Sequence, residues 1–225
     1  MLTVKHVGAR LKSLNGACIP FPDFMSALQE DIRSSRELIT DSELDQLLFD
    51  VVLGFHRGGA GTSEFSLVRD AYAFIRDKIG AISESDVLAC HSVLHGTSVR
   101  SFRGSNVLVG GGGGVRSASY VPPDYGSVPL LMRDWRKYIN GICADPIAGI
   151  VVGVFRLLQI HPFHDGNGRT ARLMLLALMS KYYGARSGVY DVARRMFASG
   201  NHELLLSSLR QIRENDWNEA FKILK

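Results

Sequence analysis

An all-α fold with one small β-hairpin is what this chain of 225 residues predicts. Three features carry that expectation. Apolar residues recur at helical spacing along most of the chain. Two segments, the one running from Asp145 to His161 and the one at Arg169–Tyr183, are apolar over most of their circumference and belong at the centre of a fold. One short stretch, 103–121, instead reads Val-Leu-Val, five glycines (Gly110–Gly114) and a second extended segment, Val115–Val121, which is the pattern of two strands around a turn.

Each element has its own signals. Phe24–Ser34 is weakly amphipathic. Asp41–Phe55 places Leu44, Leu47, Leu48, Val51 and Val52 at helical spacing and ends in the glycine-rich break His56–Gly61. Ser66–Ile79 is a further helix, closed by Gly80. Ser83 opens the next, with Asp86 where a capping-box carboxylate belongs, and Gly96 stops it near His95. After the hairpin, Pro122-Pro123 ends the extended chain, and Val128–Tyr138 reads as a helix closed by Asn140-Gly141. Asp145 as N-cap and Pro146 at the first helical position begin the first apolar helix. Pro162 disfavours helical geometry at His161, so that helix ends there. Gly184 closes the second apolar helix, and His202–Leu224 supplies one or two more.

Composition bounds the function classes. With 46% hydrophobic and 21% charged residues, the chain has the make-up of an ordinary soluble domain. Cys18, Cys90 and Cys143 are scattered and odd in number, so neither a disulfide framework nor a zinc site is indicated, and a reducing cytoplasmic setting is expected. No leader pattern opens the chain, and no run of about 18 apolar residues would span a membrane. The net charge of +4 is too modest to predict direct nucleic-acid binding.

The chemistry sits between the two apolar helices, in His161-Pro-Phe-His-Asp-Gly-Asn-Gly-Arg-Thr-Ala-Arg172. Gly166-Asn167-Gly168 opens a helix N-terminus, where glycines admit an anion to free N–H groups. Arg169 and Arg172 add guanidinium groups suited to phosphate oxygens. Asp165 is a hard oxygen ligand for Mg²⁺, which commonly bridges phosphates. His161 titrates near neutral pH. Base, anion cradle, metal ligand and arginines within twelve residues describe a phosphate-transfer site. His91 and His95, four apart on one helix, lack an evident third metal ligand and read as packing or exposed residues. His164 and Thr170 read as non-catalytic.

These residues match HxFx(D/E)GNGRxxR, the signature of the Fic (filamentation induced by cAMP) family of the Fic/Doc superfamily, at all eight specified positions. The resemblance extends to Val87–Gly96, similar to the family's LH-type helix. It also takes in Arg103–Pro123, similar to its flap hairpin, and Arg194–Phe221, similar to the C-terminal helices of longer members. It implies residues 1–64 as an N-terminal helical extension and 65–225 as a Fic domain with C-terminal helices. It implies a protein adenylyltransferase that moves AMP from ATP to a Ser, Thr or Tyr hydroxyl of another protein. In that reading His161 is the general base, Asp165 holds Mg²⁺, and Gly166, Asn167 and Gly168 cradle the phosphates. Arg169 takes the β-phosphate and Arg172 the γ-phosphate. Gly168, where the related Doc toxins carry lysine, leaves room for the intact triphosphate. The target protein would dock on the flap, about 103–121, by strand addition.

The resemblance leaves other nucleotide donors, AMP removal, or a catalytically weak binding module as alternatives. It suggests a bacterial toxin or effector, cytoplasmic or secreted into a host cell. No glutamate of the chain falls in the family's inhibitory (S/T)xxxE(G/N) pattern; Glu30 comes nearest. A separate antitoxin is the corresponding expectation.

Overall fold

The computed structural model describes residues 38–53, 62–98, 100–110, 118, 120–142 and 146–184. The expected elements at Phe24–Ser34 and His202–Leu224 lie outside them. Six α-helices make up the described part: α1 (Asp41–Leu48), α2 (Thr62–Arg76), α3 (Glu84–Leu94), α4 (Val128–Asn140), α5 (Pro146–Ile160) and α6 (Asn167–Tyr183). None of the described helices is long and apolar enough to cross a membrane.

Local chemistry sets several of the boundaries. Thr40 caps α1 and Ser83 caps α3, each through a reciprocal capping box, with Glu43 and Asp86. Asp86 therefore does what its spacing from Ser83 predicts. The helix expected over Asp41–Phe55 does not continue as an α-helix: after Leu48 it widens into a π-helical turn, Phe49–Leu53. Val51, Val52 and Leu53 are all buried.

The core is built around α5 and α6, which pack on each other. Ile150, Val151, Val152, Val154, Phe155, Leu157, Leu158 and Ile160 of α5 are buried, as is every residue of α6 from Thr170 to Met179. Helices this apolar are stable only when other elements enclose them. α4 covers α5, while α2 and the π-helical turn cover α6. Where α4 meets α5, Trp135 Nε1 donates to the Gly153 carbonyl at 2.7 Å. A Cβ at Gly153 would stand 2.5 Å from Ile139 Cδ1. Gly153→Ala is therefore expected to destabilise the fold by about 1–3 kcal/mol through overpacking. Denaturant unfolding checks this, with Ile139→Val in the same chain recovering part of the loss.

Among the described residues the expected hairpin shows one antiparallel bridge, in which Val109 and Tyr120 exchange hydrogen bonds of 3.0 Å in both directions. Its glycine tip, 111–117, lies outside the described residues. Tyr120 Oη donates to the Gln159 carbonyl at 2.8 Å, which ties the returning leg to the end of α5.

Candidate active site

The site is the turn from α5 into α6. His161 has a φ of 50°, the only described residue other than glycine in the left-handed region. The following proline excludes helical geometry at His161, so the chain turns sharply there. Such a conformation costs about 1–3 kcal/mol and persists only where the surroundings hold it. Here His161 N donates to Leu157 O at 3.0 Å, and His161 O accepts from Arg103 Nε at 2.8 Å. The ring is partly buried. A neutral imidazole offers one ring nitrogen as an acceptor.

Phe163 and Asn167 close the turn. Asn167 Oδ1 accepts from Phe163 N at 2.9 Å, and Nδ2 donates to Phe163 O at 2.8 Å. The Asn167 side chain is thus a buried loop staple, and only its backbone N–H is left to serve an anion. Gly166, at φ 78°, forms the N-cap of α6 without a side-chain cap. The first N–H groups of such a helix have no partner within it, which is what an anion site needs. α6 begins at Asn167, two residues before the start expected from sequence.

The charged residues take different positions. Asp165 is exposed, with Oδ1 accepting from Gly166 N at 2.6 Å. Among the described residues no three His, Cys, Asp or Glu side chains gather as a metal cluster. One carboxylate beside an anion cradle fits Mg²⁺, which takes few protein ligands and completes its shell with phosphate and water. Arg169 is partly buried. Arg172 is turned inward: its side chain lies beneath Gly168 and Nη2 donates to Val52 O at 3.0 Å. Burial lowers its pKa to about 10, with Arg169 acting in the same direction.

Three residues given no site role by the sequence support this loop. Arg103 is buried and grips both His161 and Pro162. His91 stacks on Phe163 with ring centroids 3.7 Å apart, and its Nε2 lies 3.0 Å from Asp165 O. His95 lies against Gly166, where a Cβ would come within 2.0 Å of Nε2. The signal for the histidine pair was its i,i+4 spacing; its partner stands about 70 residues later in the chain.

Burial lowers the pKa of His161, His91 and His95, that of His95 to about 4, where positive charge from Arg169 and His91 adds to the effect. Unfolded, these histidines would titrate near 6.5. Below that pH the unfolded chain binds more protons than the folded one, so stability is full above 6.5 and falls as the pH drops toward 4. The melting temperature is expected to decline over this window, and less steeply in His95→Asn.

A helical core whose two central helices are joined by a glycine-bounded, arginine-lined turn defines the class of protein. Residues 81–179 match the sequence model of the Fic/DOC family. A protein adenylyltransferase Fic of Aedes aegypti is 36% identical over 83 residues, which are 36% of this chain and 15% of that protein. The protein of the same description from Drosophila melanogaster is 34% identical over 83 residues, with the same coverage. The fold is shared with a Fic family protein of Desulfovibrio desulfuricans (TM-score 0.52, 20% identity, 97% of this chain and 68% of that one). It is also shared with a Fic domain containing signaling protein of Bacteroides thetaiotaomicron (TM-score 0.50, 15% identity, 88% of this chain and 96% of that one).

Proposed function

We propose that this chain is a protein adenylyltransferase that acts through the α5–α6 turn. The observation that carries the reading is the placement of a partly buried, strained His161 beside the open N-terminus of α6, in a segment related to proteins of that activity. His161 accepts the proton of an incoming Ser, Thr or Tyr hydroxyl. The hydroxyl oxygen forms a bond to the α-phosphorus of ATP as the bond from that phosphorus to the α,β-bridging oxygen breaks. Pyrophosphate leaves and the target retains AMP.

The N–H groups at Asn167 and Gly168 hold phosphate oxygens, that of Gly166 joins them on leaving Asp165 Oδ1, and Arg169 binds the β-phosphate. Asp165 would hold Mg²⁺, which supplies charge neutralisation across the phosphates. Arg172 would bind a γ-phosphate; in this structure its Nη2 donates to Val52 O. This makes Arg172 the point at which an inhibitory partner or a rearranged N-terminal extension (1–64) would restrain the site. The target backbone would add to the flap at 103–121, outside whose tip Val109 and Tyr120 already pair. A cytosolic location suits the reactants. The matched curated relatives are insect proteins, so a bacterial toxin or effector role draws no support from them.

Incubation with α-³²P-ATP, Mg²⁺ and cell lysate tests the reading: wild type labels protein and His161→Ala does not. The buried Arg172 favours one second reading, a module that binds nucleotide but turns over slowly. Absence of label with ATP, UTP, GTP and CTP alike would select it. Because burial lowers the His161 pKa, the acid limb of the transfer rate is expected to have its midpoint below 6.5.

A further inference from the structure

We infer that Arg103 is a positioning residue that locks the base-bearing turn to both legs of the flap; this rests on the adenylyltransferase reading. Arg103 is 3% exposed, and it has no carboxylate in salt-bridge contact among the described residues. Its charge is spent on backbone carbonyls. Nε donates to His161 O at 2.8 Å, and its own backbone N donates to Pro162 O at 2.8 Å. Nη1 donates to Ser105 O at 3.1 Å, on the outgoing leg of the flap. Nη2 donates to Pro123 O, on the returning leg. Asn106 reinforces the joint: its Oδ1 lies 3.4 Å from Arg103 Nη1 and accepts from Tyr125 N at 2.9 Å, while Nδ2 donates to Asp124 Oδ2 at 2.9 Å.

One planar guanidinium therefore fixes three carbonyls from three segments, a task that requires its rigid fork of donors. The consequence is specific. The flap presents the acceptor hydroxyl and His161 takes its proton, so their separation is set through Arg103. The phosphate cradle is built from α6 and does not pass through it. Loss of Arg103 should impair transfer to the hydroxyl and spare nucleotide binding.

The test compares wild type, Arg103→Lys and Asn106→Ala. Lysine keeps the charge, but its one ammonium nitrogen cannot occupy the three positions from which Nε, Nη1 and Nη2 donate. Asn106 is exposed, so its loss loosens the flap side without endangering the fold. Transfer from α-³²P-ATP to lysate protein is measured against ATP concentration. Amide spectra follow Phe163 in the turn and Asp124 at the foot of the flap's returning leg. Arg103→Lys is expected to lower the maximal transfer rate about 100-fold, the scale of a misplacement of about 1 Å. Its half-saturating ATP concentration should stay within about threefold of wild type, and the Phe163 and Asp124 signals should move together. Asn106→Ala should show the same pattern, several-fold in size.

A wild-type transfer rate in a folded Arg103→Lys protein overturns the inference. So does an equal loss of rate and ATP affinity. A wild-type protein that transfers nothing, with Phe163 and Asp124 still moving together in the variants, refutes the adenylyltransferase reading and leaves the coupling standing. Should Arg103→Lys fail to fold, a Phe163 signal unmoved in Asn106→Ala overturns the coupling.

Discussion

His161→Ala is expected to lower AMP transfer by about two to four powers of ten, the usual contribution of a positioned base, while ATP binding stays near the wild-type level. The two halves of this expectation have separate structural origins. The phosphate contacts come from the N-terminus of α6, from Arg169 and from Asp165, none of which depends on the His161 ring. The ring contributes a proton acceptor, kept neutral at physiological pH by burial. The backbone that carries it is held in the left-handed region by hydrogen bonds to Leu157 and Arg103. Removing the ring leaves the main-chain contacts of the turn in place, and alanine at φ 50° is only modestly less tolerated than histidine. The variant should therefore melt at or near the wild-type temperature. A loss of rate accompanied by a large loss of stability would mean that the ring supports the turn rather than the reaction. The check is the transfer rate and the melting curve on the same preparation.

The turn could be read in the sequence because its chemistry is local. Glycines, an aspartate and arginines at fixed spacing beside an apolar run declare an anion cradle without reference to the rest of the chain. The capping box of α3 was legible for the same reason: Ser83 and Asp86 are three residues apart and satisfy each other. The supports of the turn were not legible, because each comes from a distant segment. Arg103 looks like one more charge at the start of a strand-like stretch. Only the fold carries it 58 residues along the chain to His161. Arg172 was read as a phosphate ligand from its place in the signature, but its observed acceptor is Val52, 120 residues earlier. The π-helical turn itself was hidden, since the apolar spacing up to Val52 fits an α-helix equally well.

Gly166→Ala is the substitution with the largest expected effect on the site's architecture. Two independent penalties meet at this residue. Its φ of 78° costs an L-residue about 1–2 kcal/mol that glycine escapes. A Cβ would also stand 2.0 Å from His95 Nε2 and 2.3 Å from Cε1, far inside contact distance. The His95 ring has little room to yield, because the His91 ring lies 4.5 Å away and is itself stacked on Phe163. Overpacking of this kind adds about 1–3 kcal/mol, so the single variant should lose about 2–5 kcal/mol of stability. The two penalties separate in a double-mutant cycle with His95→Ala. Removing the ring abolishes the clash and leaves the backbone cost, so Gly166→Ala should be milder by about 1–3 kcal/mol in the His95→Ala background. Nucleotide binding distinguishes the penalties further. If the clash is absorbed by displacing the α6 N-terminus, the single variant loses ATP affinity and the double variant regains it. If His95 moves instead, ATP affinity is unchanged in both, and the anion cradle is stiffer than the helix face that supports it.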